Sequence, residues 1–458
     1  MEKRHPRARQ TGGRPGVNYP LTSLNYRIDS LRASLRDQFT QGIAWNVLSL
    51  AILGCSGIVF NALIQIWRGP EALGVFNQVF AIYIIASQLA VGGLQFSTLK
   101  HCSHAQGNRD ECGDILVTAF VLGIAGSAAC TFAIFTARNP IGGLLGGDEV
   151  TLGLTMALPG LFFFPLNKIL LMAVNAEQHM RAFAIFQSLR YLLILAGLVG
   201  IMFFEAPAGY LSLSLGLSEL VLFVLLISYT QLRLYPWWRW PKHASGHWAR
   251  RHLSFGSRGF MSGVLGEMNT RVDILMIGAA LNNTAVGIYS LGAVFAEGYG
   301  MLSNVLRQNI DPAIGKAFAN GQNGEIEKLG ARLRQRFLPP MILVGLALMA
   351  GFPVLLWMLD RLGTAKVSWA SWGVLSILVS GYVLASRYQP FIGLLLQGGR
   401  PGTFTVLLLF TVFGNFALNL LLIPSGGIHG AAMATAIVTI LQGLCIGLLA
   451  RRVFGVRI

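Results

Sequence analysis

Residues 402–449 read GTFTVLLLFTVFGNFALNLLLIPSGGIHGAAMATAIVTILQGLCIGLL, two apolar runs joined by a short turn at Pro424–Gly427. Each run holds about 20 residues, enough for a helix to cross the roughly 30 Å hydrocarbon core of a bilayer at about 1.5 Å per residue. Pro and Gly interrupt helices, so the turn ends one crossing and begins the next. The stretch predicts a hairpin of two transmembrane helices.

Comparable apolar segments occur along most of the chain. They lie at 42–65, 74–96, 114–136, 151–173, 183–204, 209–231, 256–280, 285–308, 338–358 and 370–396, ahead of the runs 402–423 and 428–449. Hydrophobic residues make up 54% of the sequence and charged residues 12%, against about 25% charged residues in soluble proteins. The pattern predicts an all-α membrane protein with about twelve transmembrane helices.

The net charge of +16 comes from 35 Lys and Arg against 19 Asp and Glu. Such an excess is typical either of nucleic-acid binding or of cytoplasmic loops in a membrane protein. Position decides between them: with twelve spans, 26 basic residues fall on the side of the termini, 4 on the other side and 5 inside helices. We therefore predict a multi-pass inner-membrane protein with both termini cytoplasmic and no nucleic-acid partner.

The segment before the first span has its own pattern. Apolar residues recur there at helical spacing, with basic residues between them: Leu24, Ile28, Leu31, Leu35 and Phe39, with Arg27, Arg32 and Arg36. This pattern predicts a basic amphipathic helix that binds anionic lipids of the cytoplasmic leaflet.

The two halves of the chain resemble each other. Ala72–Phe76 opens the second segment and Ala285–Tyr289 opens the eighth, with an offset of 213 residues between them. The offset predicts two parallel six-helix repeats related by an axis along the membrane normal. The expected organisation is a cytoplasmic tail at 1–41, lobes at 42–231 and 256–449, a basic cytoplasmic linker at 232–255 and a cytoplasmic tail at 450–458.

Several motifs together resemble those of Wzx-type polysaccharide flippases. In chain order they are Gly69–Phe76, Arg271–Gly278, Val286–Ser290, Asp311–Ile314, Asn419–Pro424 and Gly427–Ala432. The resemblance covers residues 40–450. It implies the MATE-like fold of the multidrug/oligosaccharidyl-lipid/polysaccharide superfamily, with undecaprenyl-pyrophosphate-linked glycans moved from the cytoplasmic to the periplasmic leaflet for O-antigen, capsule or exopolysaccharide export. It also implies that helices 1, 2, 7 and 8 line a central cavity, and that a polysaccharide polymerase and glycosyltransferases are partners.

Charged residues inside the predicted spans are the candidate functional residues, because burying them in a bilayer is costly. The candidates for binding a pyrophosphate are Arg271, Arg387, Arg190 and Arg307, and the candidates for ion coupling or structure are Glu267, Asp273 and Glu297. Arg suits phosphate because its guanidinium donates two parallel hydrogen bonds. The interpretation of Arg190 is open between substrate binding and structure, and Arg307 is close enough to a helix end to reach water instead.

Arg271 is the first choice for substrate contact and Arg387 the second, because both lie deep in their predicted helices. Glu267 precedes Arg271 by four residues, which places both on one helical face and predicts an ion pair between them. Asp273 points to another face, where it would hold a neighbouring helix or bind a coupling proton or sodium ion.

The sequence contains no P-loop, so ATP hydrolysis by this chain is not expected. We expect no cofactor, no catalytic site and no metal site. The alternatives to a flippase are a MATE-like cation or drug antiporter, which would favour buried carboxylates, and a membrane-embedded glycan transferase or ligase, which would carry a large catalytic loop.

Overall fold

The computed structural model describes residues 38–105, 107–204, 206–235, 245–362 and 367–458, all helical or in short turns. The α-helices are α1 (Gln38–Val91), α2 (Leu94–His104), α3 (Arg109–Leu145), α4 (Asp148–Ala176), α5 (Met180–Met202), α6 (Leu213–Tyr229), α7 (Ser245–Ala280), α8 (Asn283–Ala319), α9 (Asn323–Arg336), α10 (Leu338–Leu362), α11 (Ala370–Ala385), α12 (Leu394–Gln397) and α13 (Pro401–Phe454). Short 3₁₀ turns cover Ala208–Ser212 and Gln389–Phe391, and a π-turn covers Thr230–Leu234. The predicted amphipathic helix of the tail and residues 236–244 of the predicted linker lie outside the described residues.

Two of these helices, α1 and α13, have 54 residues each. A straight helix of that length would be about 80 Å long, far more than one bilayer crossing. Each turns back at a glycine in the left-handed region, Gly69 (φ 79°) in α1 and Gly427 (φ 55°) in α13. Glycine is favoured there because it has no Cβ to clash with the backbone. The reversal at Gly427 falls at the Pro/Gly turn predicted from the sequence, and the reversal at Gly69 falls between the predicted segments 42–65 and 74–96.

Within the described residues, eight helical stretches are long and apolar enough to cross a membrane, by length and composition. They are Leu48–Val91, Arg109–Leu145, Asp148–Ala176, Met180–Met202, Ala208–Leu234, Asn283–Ala319, Asn323–Leu362 and Pro401–Phe454. The chain is therefore an all-α multi-pass membrane protein. The predicted count of twelve would need two crossings each from α1 and α13, together with the more polar α7 and the 16-residue α11.

Helix α7 begins at Ser245, inside the segment predicted as a linker. Its first turns pack on α2 and α3: His252 is fully buried, with Nδ1 2.8 Å from Ser97 Oγ and Nε2 3.1 Å from the carbonyl oxygen of Ile115. Farther along, Leu265 packs with Leu408 and Val412 of α13. Helix α7 thus joins the first half of the chain (residues 38–235) to the second half (residues 245–458).

We refer to the two ends of the bundle as the Gly69 end and the Gly93 end. The Gly69 end also holds Gly146 and Asn283, and the Gly93 end also holds Gly256. A methyl group on Gly93 would lie 2.6 Å from the carbonyl oxygen of Gly256, so the junction of α1 and α2 lies against α7 at that end.

Candidate transport cavity

A cavity of about 460 Å³ lies among α7, α8, α11 and α13, a size typical of small-molecule sites. Amide and hydroxyl groups alternate with aromatic rings along its wall, among them Asn269, Asn304, Gln389, Tyr382 and Phe404. Phe96 of α2 adds a contact from the first half of the chain. The cavity therefore offers hydrogen-bonding groups and ring faces within an apolar bundle.

Asp273 lies at the wall of this cavity with its carboxylate fully engaged. Oδ1 accepts from Asn415 Nδ2 at 2.8 Å and from Asn419 Nδ2 at 2.9 Å. Oδ2 accepts from the Tyr289 hydroxyl at 2.7 Å and from Thr435 Oγ1. Among the described residues, Asp273 forms no ion pair, so neutral donors alone stabilise this buried charge.

The oxygen atoms around Asp273 form a cluster on three helices. Asn419 Oδ1 is buried and has no hydrogen-bond partner, and Asn415 Oδ1 lies 3.4 Å from Thr435 Oγ1. Within the described ranges, no group of three or more His, Cys, Asp or Glu side chains could hold a metal ion. Any cation here would be bound by one carboxylate together with amide and hydroxyl oxygens, ligands that suit hard cations.

A second cavity of about 100 Å³ lies between α1, α5, α7 and α8, so it is formed by both halves of the chain. Arg271 and Glu297 line it, and their closest charged atoms, Nη1 and Oε1, are 3.8 Å apart. Arg271 Nε is buried without a hydrogen-bond partner, and its guanidinium lies 5.4 Å from the centre of the Phe80 ring. Glu297 also lines the larger cavity, so this carboxylate stands at the wall between the two.

The predicted pairing of Arg271 with Glu267 is wrong. Both side chains are described, and the ion pair that forms is with Glu297 of the neighbouring helix. The physical reason is the position of α8, which brings a carboxylate to the cavity face of Arg271. In the part of the chain that the structure describes, Glu267 takes part in no ion pair.

Arg307 lines the larger cavity, and its Nε is buried without a hydrogen-bond partner. It is partly exposed, and Asp311 follows it by four residues on the same helix. The structure thus gives Arg307 access to the cavity, and the spacing of four residues places Asp311 on the same face of the helix.

Arg190 lies in a closed polar cluster inside the first half. Its Nε is 2.7 Å from Glu219 Oε1, and both side chains are at least nine-tenths buried. Asn167 Nδ2 donates to the other Glu219 oxygen at 2.7 Å, and the Arg190 guanidinium lies 4.5 Å from the centre of the Phe164 ring. These contacts favour the structural interpretation of Arg190 that the sequence left open.

The sequence predicted that Arg387 lies deep in a helix, and this prediction is wrong. Helix α11 ends at Ala385, before the turn that contains Pro390, and Arg387 is exposed beyond it. Its Nη2 donates to the backbone oxygen of Ile458 at 3.0 Å. Arg387 is therefore placed with the end of the chain and lines neither cavity.

No pattern in the sequence pointed to Thr435 and Tyr289, whose hydroxyls donate to the Asp273 carboxylate. One signal was available for Asn415 and Asn419: two asparagines four residues apart on an apolar helix share a face and predict a common partner. Nothing in the sequence links them to Asp273, because the bond to Asn415 joins residues 142 positions apart.

Comparisons with known proteins identify the family to which this chain belongs. Residues 69–353 match the model of the family described as "Polysaccharide biosynthesis protein". The chain is 26% identical over 377 residues to the probable low-salt glycan biosynthesis flippase Agl15 of Haloferax volcanii, covering 81% of this chain and 74% of the relative.

Solved structures establish the fold. An inward-facing multidrug resistance MATE transporter of the MOP superfamily superposes with a TM-score of 0.73 at 14% identity, covering 89% of this chain and 94% of that chain. The lipid II flippase MurJ in an inward closed conformation gives a TM-score of 0.71 at 16% identity, covering 88% and 87%. Because the family model matches residues 69–353, more than half of the chain, the chain is a member of the polysaccharide biosynthesis protein family, and its fold is the one shared by MATE transporters and MurJ.

Proposed function

We propose that this protein flips a lipid-pyrophosphate-linked oligosaccharide, such as an undecaprenyl-pyrophosphate glycan, from the cytoplasmic to the periplasmic leaflet by alternating access. The observation that carries the proposal is Arg271, a cation at a cavity between the two halves with a long ion pair and an unpartnered Nε. A pyrophosphate needs a fixed, partly desolvated cation of this kind. The similarity to the probable glycan flippase Agl15 and to the lipid II flippase MurJ supports the same function.

The proposed topology has twelve spans in two six-helix lobes, with the Gly93 end and both termini in the cytoplasm. The reversals at Gly69 and Gly427 support two crossings each for α1 and α13. The excess of basic residues near the Gly93 end supports the orientation. In this frame the larger cavity extends toward the cytoplasm, because its wall includes Gly263 and Arg307.

We assign Arg271 to binding the pyrophosphate. Arg307 would bind a second phosphate or line the path that leads to Arg271. Amides and aromatic rings of the larger cavity, such as Asn304 and Tyr382, would meet the first sugars, whose hydroxyls hydrogen-bond to amides and whose faces pack on rings. Glu297 would be released from Arg271 when the substrate phosphate arrives.

Asp273 is the proposed coupling residue. Its carboxylate and the oxygens of Asn415, Asn419 and Thr435 would bind a monovalent cation, or Asp273 would take up a proton. Binding would require rotation of the amide and hydroxyl groups, because they now present hydrogens to the carboxylate. Rotation of these groups would shift α13 against α7 and so connect the ion to the conformation of the second half.

A cation or drug antiporter remains the second candidate function, for one specific reason. Among the described residues, the larger cavity is lined by two carboxylates, Asp273 and Glu297, and by one basic residue, Arg307. A cationic substrate would fit that balance, whereas a pyrophosphate fits the smaller cavity at Arg271. The family match favours the glycan.

The test is reconstitution of the purified protein in liposomes that contain an undecaprenyl-pyrophosphate-linked oligosaccharide in the inner leaflet. Arrival of the glycan outside is measured with an added lectin. The proposal expects transport by the wild type, none by Arg271→Ala and near wild-type transport by the exposed control Arg387→Ala. Transport of an organic cation with none of the glycan would replace the flippase by the antiporter.

A further inference from the structure

The two halves approach each other closely at two glycines of the Gly69 end. A methyl group on Gly74 would overlap the carbonyl oxygen of Asn283, with the carbonyl carbon at 2.6 Å and the backbone nitrogen of Gly287 at 3.1 Å. A methyl group on Gly287 would overlap the carbonyl oxygen of Pro70, with the carbonyl carbon at 2.7 Å and the backbone nitrogen of Gly74 at 3.1 Å. The two helices therefore touch backbone to backbone.

These two contacts are equivalent by the internal repeat. Adding the offset of 213 to Gly74 gives Gly287, and adding it to Pro70 gives Asn283. Exchanging the halves therefore converts one contact into the other, and the matching distances have the form of a two-fold symmetric interface. The pseudo-two-fold axis of the repeat passes between Gly74 and Gly287.

A polar contact closes the same end beside the glycines. Gln78 Nε2 donates to Asn283 Oδ1 at 2.7 Å, and Asn283 Nδ2 donates to the carbonyl oxygen of Gly146 at 3.1 Å. Gln78 and Asn283 are buried, so these bonds are shielded from water. Separation of the halves at this end must break them.

Both cavities lie on the other side of this contact. Along α8, Glu297 is 14 residues from Asn283, or about 21 Å at 1.5 Å per residue, and Arg307 is about 36 Å away. The path along α8 from either cavity to the Gly69 end therefore passes the contact between α1 and α8.

We propose that the crossing of Gly74 and Gly287 is the outer gate of this transporter, and that the Gln78–Asn283 hydrogen bond is its latch. The close backbone contact requires glycine on both helices, so an alanine at either position would hold the gate apart. Because the positions are equivalent, the two single substitutions should act alike. The double substitution should add little, since either methyl group alone prevents closure.

The test uses a reporter cysteine inside the gate. Ser290→Cys is a conservative change at a residue that lines the smaller cavity, and the native cysteines are replaced. Right-side-out vesicles are treated with a membrane-impermeant maleimide. The proposal expects slow labelling with glycine at both positions and severalfold faster labelling in Gly74→Ala and in Gly287→Ala. Gly143→Ala is the matched control, because its added methyl has no heavy atom within 4 Å. Labelling equal to this control in either alanine variant, in right-side-out and in inside-out vesicles alike, would overturn the gate.

A second measurement tests the gate without the glycine variants, in case those variants fail to fold. A Gln78→Cys/Asn283→Cys pair is oxidised with copper phenanthroline, and labelling of the reporter is expected to stop and to return after reduction. Rapid labelling of the cross-linked protein would overturn the gate. The assignment of the gate to the outer side of the membrane rests on the proposed function. Different outcomes test the existence of the gate and its orientation. Severalfold acceleration seen only in inside-out vesicles would reverse the orientation and keep the gate.

Discussion

Arg271 of α7 and Glu297 of α8 form an ion pair with 3.8 Å between Nη1 and Oε1, at the wall shared by two cavities. The side chains keep 19% and 31% of their exposure, so the pair is neither sealed nor freely solvated. An ion pair of this length and exposure is weak. It holds the guanidinium in place without using its hydrogen-bonding capacity, which suits a residue that exchanges an internal carboxylate for a substrate phosphate.

The first prediction concerns that exchange. Arg271→Ala should abolish glycan transport at normal protein level, and Arg271→Lys should restore only part of it, because an ammonium lacks the bidentate fork. Glu297→Gln should retain substrate binding, since it removes the competitor of the phosphate. The measurement is lectin-detected transport in liposomes with protein amount checked by blot. Full transport by Glu297→Gln/Arg271→Gln would show that the pair is only structural.

The second prediction concerns Asp273. Asp273→Asn keeps the shape of the side chain but removes the charge that a cation would need. In detergent, sodium should raise the thermal unfolding midpoint of the wild type relative to choline, and the variant should lose that increase. Thr411→Val serves as the control, because Thr411 lines the same cavity without a hydrogen bond to Asp273. An equal response to sodium in Asp273→Asn and wild type would exclude Asp273 as the ion site.

The third prediction concerns pH and His252, which lies before the predicted seventh span. Burial lowers the pKa of His252 from 6.5 to about 4. Since the folded-state pKa is below the unfolded one, the stability contributed by neutral His252 is complete above pH 6.5 and is lost as the pH falls toward 4. This loss of stability is measured as the fall in the thermal unfolding midpoint between pH 7.5 and pH 4.5.

The matched variant for that experiment is His252→Gln, whose amide can bond to both Ser97 and the Ile115 carbonyl but does not titrate. Its unfolding midpoint should fall less than that of the wild type over the same pH range. Parallel curves for the two proteins would assign the acid sensitivity to other groups.

The fourth prediction separates structure from function at Arg190. Removing one partner of a buried ion pair leaves the other charge uncompensated, which costs about 3–5 kcal/mol in soluble proteins. Arg190→Ala should therefore lower the amount of folded protein and its unfolding midpoint, because Glu219 remains buried. Arg190→Met/Glu219→Leu should recover much of the stability and retain transport. Loss of transport in a well-folded double variant would return Arg190 to the binding residues.

The fold could be predicted largely from the sequence, because bilayer thickness sets the length of apolar segments and glycine sets the reversals at Gly69 and Gly427. Boundaries were less certain where helices extend beyond the membrane. Helix α7 starts at Ser245 rather than near 256, because Trp248 and His252 bury their rings against the first half.

By itself, the sequence determined the class of protein, the order of its motifs and the charged residues worth testing. The tertiary structure alone decided their partners, because ion pairs and hydrogen bonds depend on which helix faces which. Arg271 forms an ion pair with Glu297 on the next helix instead of with Glu267 on the same helix, and Arg387 lies outside both cavities. The bond from Thr435 to Asp273 spans 162 residues, a relation that helix packing creates and that no local pattern encodes.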